Sequence, residues 1–99
     1  MTITKTTEGS KLIIALEGRL DTTTAPQLEQ ELEKSIGGVS ELLFDLSGLE
    51  YVSSAGLRVL LSAHKIMMKQ GEMTIKNVRE EIMEIFDVTG FVDILNIEE

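Results

Sequence analysis

The segment that decides the fold is residues 41–61, ELLFDLSGLEYVSSAGLRVLL, where an apolar strand pattern leads through two serines into an apolar helical pattern. Glu41 to Leu46 has a continuous apolar centre, which is typical of a strand covered on both faces. Gly48 to Ser53 predicts a loop, because glycine and serine interrupt the apolar run. A helix follows and ends at Gly71. Its predicted apolar stripe comprises Leu57, Leu60, Leu61, His64 and Met68.

Upstream of this segment the sequence predicts two strands and a helix. Thr2–Thr6 and Lys11–Leu20 are β-branched or apolar runs bounded by glycines, as strands are. Thr24 lies three residues before Gln27, which predicts a capping box, and Pro26 is tolerated in a first helical turn. The apolar face of this helix comprises Ala25, Leu28, Leu32 and Ile36, and Gly37 ends it.

Downstream, the alternation continues. Met73–Ile75 predicts a strand of period two, and Asn77, with Glu80 three residues later, predicts the cap of a third helix. Gly90 ends this helix, and Val92–Ile97 predicts a last strand. The apolar face of the third helix comprises Val78, Ile82, Ile85 and Phe86.

The resulting order, ββαβαβαβ, defines an α/β fold. Strands that alternate with helices imply parallel neighbours, whereas the first two strands have no helix between them and predict a hairpin. We therefore expect one domain, residues 1–99, with a mixed, mostly parallel sheet of four to five strands and helices packed on it. The connections at residues 21–24 and 47–54 should meet at the carboxyl ends of the strands, where function in open α/β sheets concentrates.

Composition excludes several classes of function. The chain has nine basic and 17 acidic residues and a net charge of −8, which disfavours nucleic acid and anionic membrane surfaces and favours a basic protein partner. It has no cysteine, and its longest apolar run, Leu12–Leu16, is far too short to span a membrane. We expect a cytoplasmic protein. The methionines at positions 67, 68, 73 and 83 are expected to fill gaps in or near the core.

The sequence offers little for catalysis. A serine-hydrolase elbow needs glycine two residues before the serine, but Val52 holds that position before Ser54. His64, the one histidine, would lie about 15 Å along the helix from Ser54, too far to act as its base. We expect His64 to be a partly buried packing residue. One histidine and no cysteine supply no metal-ligand set, and no phosphate-binding glycine loop is present, so no cofactor is predicted.

Two aspartates adjoin strand ends in the predicted sheet. Asp21 is expected to be a turn or cap residue, and Asp45 a strand-end residue that accepts from backbone N–H groups. An acid/base site built on one of them is an alternative, although paired-carboxylate sites usually need a larger cleft lined by aromatic residues. That alternative predicts activity that an Asp21→Asn change abolishes.

Ser54 is predicted to cap the helix that follows it. A serine at a helix start accepts a hydrogen bond from a free N–H of the first turn. The same position is exposed and lies at the positive end of the helix dipole, so it also suits a phosphate. Arg58, four residues on, leans back towards the helix start, where it either pairs with such a phosphate or is solvated. Both the structural and the regulatory interpretation of Ser54 are therefore open.

Three stretches together resemble the single-domain STAS proteins, the bacterial anti-sigma factor antagonists. Residues 18–25, GRLDTTTA, resemble the family's segment leading into the first helix. Residues 44–57, FDLSGLEYVSSAGL, resemble its central signature and are the most specific of the three. Residues 86–91, FDVTGF, resemble the turn after its third helix.

The resemblance implies a partner-switching cycle. In the family, the serine two residues before the signature glycine is phosphorylated by a partner serine kinase that is also the anti-sigma factor; here it is Ser54. The unphosphorylated protein would bind that kinase and free the sigma factor, phosphorylation would end binding, and a metal-dependent serine phosphatase would reset it. ATP and magnesium would belong to the kinase, and this chain would not be an enzyme. The implied partner-binding residues are Asp21, Thr22, Thr23, Ser53, Ser54, Ala55, Gly56, Leu57 and Arg58.

Two departures from the family pattern leave alternatives open. Many members have Asp where this chain has Ser53, so Ser53 is an alternative phosphate acceptor. No further helix is expected after the last strand, which leaves open how a partner or second copy would orient there. A non-phosphorylated docking subunit of a transport or signalling complex, for example one that moves lipids, is the alternative function.

Overall fold

The computed structural model describes residues 1–98 and contains a four-stranded sheet and three α-helices. In chain order the elements are β1 Thr2–Glu8, β2 Lys11–Leu20, α1 Ala25–Ser35, β3 Glu41–Val52, α2 Ser54–Gln70, β4 Glu72–Lys76 and α3 Glu80–Thr89, followed by a 3-10 turn at Phe91–Asp93. Within residues 1–98, no helix is both long and apolar enough to cross a membrane.

The strand order β1-β2-β3-β4 confirms the predicted mixed sheet. β1 pairs antiparallel with β2 as a hairpin, whereas β2, β3 and β4 are parallel neighbours. The strand predicted at Val92–Ile97 is reduced to one parallel bridge between Ile75 and Ile97. The 3-10 turn occupies the first part of that range, so only its end can reach β4.

One face of the sheet carries the core. The register aligns Leu12 with Leu42 and Met73, and Ile14 with Phe44 and Ile75, and all six are buried. Their neighbours on the other face, Ile13, Leu43 and Thr74, are only partly buried. The prediction that β3 is covered on both faces is therefore wrong. Right-handed crossovers between consecutive parallel strands place α1 and α2 on one face, in agreement with this burial.

The loop predicted at Gly48–Ser53 is a continuation of β3. This part of β3 pairs with the end of β2 through two register shifts, one beside Ala15/Glu17 and one beside Gly18/Arg19. Each shift is a bulge with an extra residue in β3, so the buried positions Leu46, Leu49 and Val52 recur every third residue, not every second. A Cβ on Gly48 would lie 2.7 Å from Glu17 Cγ, so glycine is needed for the close pairing there.

The predicted helix face is confirmed for α1, confirmed in part for α3, where Ile85 is only partly buried and Val78 precedes the helix, and corrected for α2. All four predicted α1 residues are buried, and Ile82 and Phe86 bury the centre of α3. In α2, Leu57 and Leu60 are buried as predicted, but Met68 is 70% exposed and Met67 takes the core position at 1%. His64 is partly buried, as expected. Met73 is buried and Met83 is packed against the core, so two of the four methionines are in the core and a third lies beside it.

Candidate functional site

The ends of β2 and β3 meet beside the start of α2. The Ser53 N–H donates to the Leu20 carbonyl at 2.9 Å, which places the residue 21–24 turn next to the start of α2. The two connections thus lie together at the carboxyl end of the sheet, as expected, but the second is Ser53 alone, because residues 47–52 belong to β3. On the β2–β3 pair, the Arg19 guanidinium lies 4.4 Å from the centre of the Tyr51 ring.

Ser53, not Ser54, caps α2. Its backbone is extended, and its hydroxyl accepts from the Gly56 N–H at 3.3 Å. Its carbonyl accepts the Leu57 N–H at 2.9 Å. The prediction that Ser54 is the cap is wrong by one residue, because the side chain that reaches a first-turn N–H belongs to the last residue before the helix.

Ser54 is the first residue of α2, and its side chain is exposed. Across the described chain, Met1 to Glu98, its hydroxyl has no hydrogen-bond partner, in contrast to that of Ser53. Arg58 Nε lies 3.5 Å from the Ser54 carbonyl oxygen, so this side chain does lean back towards the helix start. The site thus presents a free hydroxyl at the positive end of a helix, with an exposed cation one turn away.

Two residues of the predicted partner surface lie in the interior. Leu57 is 5% exposed, and a Cβ on Gly56 would lie 2.7 Å from Leu20 Cγ and 2.9 Å from Val52 Cγ2. The buried Leu57 side chain and the close approach that Gly56 permits therefore seat α2 on the ends of β2 and β3, and neither residue is available to a partner. Asp21, Ser53 and Ala55 are partly buried, whereas Thr22, Thr23 and Ser54 are exposed.

Asp21 organises the turn before α1. Its Oδ1 accepts from the Thr23 hydroxyl at 2.8 Å, the Thr23 N–H at 3.0 Å and the Thr24 N–H at 3.2 Å. The hydrogen bond from the Thr23 hydroxyl is the main reason that the pKa of Asp21 lies below its usual value. The capping box predicted from Thr24 and Gln27 does not form, because the Thr24 hydroxyl donates to the Arg19 carbonyl at 2.7 Å.

Asp45 fixes the β3 bulge to the start of α3. Its Oδ1 accepts from the Ser47 N–H and from Asn77 Nδ2, each at 3.0 Å. The bond from the Ser47 N–H is the main cause that lowers the pKa of Asp45, and the Asn77 amide lowers it further. Asp21 is a turn residue, as expected. Asp45 accepts from a backbone N–H, as expected, but it lies inside β3, which continues to Val52, so the prediction of a strand-end position is wrong. Both are stabilised as carboxylates. Such groups are poorly suited to proton transfer near neutral pH.

The start of α3 differs from its predicted form. Asn77 is not the cap; it adopts a left-handed backbone with φ of 59°, and Arg79 holds the cap position without a side-chain cap bond. Arg79 Nε instead donates to the Ser47 carbonyl at 2.9 Å. Glu80 and Glu81 place negative charge in the first turn, where it interacts favourably with the positive end of the helix dipole.

A groove of about 250 Å³ lies between α1 and α2, beside Ser54. Its lining comprises Thr22, Ala25, Pro26 and Glu29 on one side and Ala55, Arg58, Val59 and Ser62 on the other. Both sets follow the i, i+3, i+4, i+7 spacing of one helix face. Thr22, Ala55 and Arg58 belong to the predicted partner surface, whereas Pro26, Glu29, Val59 and Ser62 do not. The signal that could identify these four residues is their helical spacing from Thr22, Ala55 and Arg58.

Comparison with known proteins agrees with this fold. The model of the STAS domain family matches residues 2–99. BtrV of Bordetella bronchiseptica, which is named provisionally as an anti-sigma factor antagonist, is 39% identical over 85 residues, covering 84% of this chain and 73% of BtrV. The anti-sigma-B factor antagonist of Bacillus subtilis is 31% identical over 85 residues, covering 85% of this chain and 78% of that protein.

Solved structures show the same architecture. The anti-sigma factor antagonist SpoIIAA in its unphosphorylated form superposes with a TM-score of 0.77 at 16% identity, covering 99% of this chain and 88% of SpoIIAA. The phosphorylated form of the Bacillus SpoIIAA gives a TM-score of 0.76 at 17% identity, covering 99% and 92%. At this identity the likeness concerns the fold, and the family rests on the match along residues 2–99. The chain belongs to the STAS domain family.

Proposed function

We propose that this chain is an anti-sigma factor antagonist that binds an anti-sigma factor serine kinase and is released when Ser54 is phosphorylated. The antagonist name of the Bacillus subtilis relative supports the general role. A phosphorylated form of SpoIIAA supports phosphorylation as a state of at least one protein with this fold. The cycle needs a metal-dependent serine phosphatase to remove the phosphate, with ATP and magnesium bound by the kinase.

One observation supports the assignment to Ser54: the serine that caps α2 and the serine with an exposed, unbonded hydroxyl are different residues. The Ser53 hydroxyl is engaged with the Gly56 N–H, whereas the Ser54 hydroxyl is exposed and unbonded in the described chain. A phosphate on Ser54 leaves the cap in place. A phosphate on Ser53 must first turn its oxygen away from the Gly56 N–H. Ser53 is therefore the less favourable acceptor of the two.

The α1–α2 groove beside Ser54 is where we place the kinase. Thr22, Ala55 and Arg58 line it, and all three belong to the surface that the family resemblance implies. A phosphoserine adds about −1.5 to −2 charges and three acceptor oxygens. At Ser54 this charge lies at the rim of the groove, where it repels acidic groups of the partner and captures Arg58 for itself. Both effects oppose binding of a partner that packs on the bare loop.

The test is a binding titration between the purified chain and the anti-sigma factor serine kinase of the same organism. We expect the wild type and Ser53→Ala to bind with affinities within about threefold of each other. Ser54→Asp should weaken binding by at least about tenfold, or about 1.4 kcal/mol. Equal binding by Ser54→Asp and the wild type, unchanged by ATP, would reject the switch and favour a permanently docked subunit of a transport or signalling complex.

A further inference from the structure

The end of α3 and the turn after it carry apolar side chains that are exposed or only partly covered by the core. Among residues 1–98, the exposed large apolar side chains are Ile66 at 42%, Met68 at 70%, Val88 at 87%, Val92 at 36% and Ile94 at 45%. Three of these five lie between residues 88 and 94. One turn before Val88, the partly buried Ile85 shares with it a shallow cleft of about 290 Å³, whose other lining residues are Glu81, Glu84 and Thr89. We call Ile85, Val88, Val92 and Ile94 the α3 surface.

The charged residues of α3 and of the turn after it all carry the same sign. Every charged residue from 80 to 94 is acidic, namely Glu80, Glu81, Glu84, Asp87 and Asp93. The exposed apolar residues of α2 have the opposite neighbours, since Met68 stands between Lys65 and Lys69. The α3 surface therefore complements a partner that combines an apolar face with positive charge. An anionic lipid surface is repelled by these carboxylates, and a second copy of the chain would bring two acidic rims together.

The α3 surface extends away from Ser54. α3 starts at the carboxyl end of the sheet, where Arg79 Nε donates to the Ser47 carbonyl. Ile97 then pairs with Ile75 in the parallel direction, so the residues just before it approach from the amino end of the sheet. The turn containing Val92 consequently lies towards the amino end of the parallel strands, whereas α2 starts at their carboxyl end. A partner on the α3 surface and a kinase on the α1–α2 groove would contact different parts of the molecule.

We propose that the α3 surface is a second docking site that takes a basic amphipathic helix of a protein partner, whatever the phosphorylation state of Ser54. Apolar side chains of that helix pack on Ile85 and Val88. Its lysines and arginines pair with Glu81, Glu84 and Asp87 at the rim. Recognition of an amphipathic helix by an apolar groove is a common mode of peptide binding, and the acidic rim selects the sign of the partner's charge. This site does not depend on the proposed function.

The probe is a synthetic lysine–leucine peptide with leucines at helical i, i+3 and i+4 spacing, labelled for fluorescence anisotropy. The control peptide has the same composition in a scrambled order without an apolar face. We expect the patterned peptide to bind and to shift the amide NMR signals of residues 81–94, and the scrambled peptide to bind at least about tenfold more weakly. Equal binding of both peptides, or signal shifts confined to other residues, would overturn the proposal.

Matched variants locate the contact. Val88→Ser should weaken peptide binding at least about tenfold, whereas Met68→Ser, which removes a similarly exposed apolar side chain beside lysines, should leave it unchanged. Because both side chains are exposed, neither change should unfold the protein, and circular dichroism verifies this. Glu84→Gln with Asp87→Asn should weaken binding and reduce its salt dependence.

Ser54→Asp should leave peptide binding unchanged. Loss of peptide binding in that variant would show that the α3 surface and the surface around Ser54 are not separate.

Discussion

Helices α2 and α3 both begin at the carboxyl end of the sheet, but they are held there in different ways. α2 begins with a side-chain cap, Ser53 to the Gly56 N–H, and a buried glycine packed on Leu20 and Val52. α3 begins without a side-chain cap and is tied to the β3 bulge through Asn77–Asp45 and Arg79–Ser47 hydrogen bonds. The start of α2 is thus complete without Ser54, whose hydroxyl is left free.

The difference bears on the proposal that Ser54 is phosphorylated while α2 stays intact. A serine that caps a helix has its oxygen engaged with a first-turn N–H, so modification must rearrange that hydrogen bond. Here the cap is one residue upstream, and the exposed serine follows it at the first helical position. At the start of α3, the Asn77 and Arg79 side chains donate hydrogen bonds to Asp45 and Ser47 of β3. A modification of either side chain would therefore disturb the β3 bulge.

The largest effect is expected where α2 rests on the strand ends. Gly56→Ala introduces a Cβ 2.7 Å from Leu20 Cγ, and Leu20 is fully buried. Overpacking of this kind outweighs the gain in helix propensity, so we expect a loss of about 2 kcal/mol in the free energy of unfolding. Urea denaturation measures it. Gly37→Ala is the control, because no atom lies within 4 Å of its added Cβ and its effect should be within about 0.5 kcal/mol. Equal stability of the two variants would contradict the tight seat.

The next effect concerns the backbone before α3. Asn77 has a φ of 59°, a conformation that asparagine and glycine tolerate and alanine resists. Asn77→Ala and Asn77→Gly both remove the amide bond to Asp45, so their difference isolates the backbone term. We expect Asn77→Ala to be less stable than Asn77→Gly by about 1 kcal/mol in thermal or urea unfolding. No difference would mean that this turn is not held in the left-handed conformation.

A smaller effect separates the two serines. Ser53→Ala removes the cap of α2 and should lower the free energy of unfolding by about 0.5–1 kcal/mol. Ser54→Ala removes only an exposed hydroxyl and should change stability by less than about 0.5 kcal/mol. Urea denaturation of both variants under identical conditions checks this. A larger loss of stability in Ser54→Ala than in Ser53→Ala would assign the cap to Ser54 and contradict the proposal that its hydroxyl is free to accept phosphate.

The smallest effect is a change in pH dependence at the α3 start. The Ser47 N–H, and after it the Asn77 amide, hold the pKa of Asp45 below its usual value. The stabilisation is therefore fully present above the unfolded pKa, about 3.9, and is lost as pH falls through the lower folded pKa. The stability difference between the wild type and Asp45→Asn should narrow from pH 7 to about pH 3. Asn77→Gly, which removes one donor, should show a weaker change; a difference that is constant with pH would contradict this role.

The sequence predicts the fold well wherever hydrophobic periodicity alone decides it. The hairpin, the parallel strands and the centres of the α1 and α3 faces follow from the spacing of apolar residues along the sequence. Leu28 and Phe86, for example, lie on the one apolar face of their helices and are fully buried. The end of β3 could not be predicted in this way, because bulges change the spacing of Leu46, Leu49 and Val52 from two to three. At the end of α2, the predicted apolar stripe includes Met68 where the structure buries Met67. The two side chains are chemically identical, so only their packing distinguishes them.

At the candidate site, the predicted cap is one residue too late, and Ser54 as the phosphate acceptor stays a prediction. Ser53 and Ser54 are identical side chains in sequence, and either one suits a helix start. Only the backbone geometry, extended at Ser53 and helical from Ser54 onwards, separates the capping serine from the serine with the free hydroxyl. The burial of Gly56 and the bonding of Asp45 likewise depend on strand pairing that the sequence does not display.

Phosphate mapping tests the central claim, the division of roles between Ser53 and Ser54, most directly. The wild type, Ser53→Ala and Ser54→Ala would each be incubated with the anti-sigma factor serine kinase and ATP, then digested and mapped by tandem mass spectrometry. We predict phosphate on Ser54 in the wild type and in Ser53→Ala, and none in Ser54→Ala. Phosphate on Ser53, or full labelling of Ser54→Ala, would contradict the account.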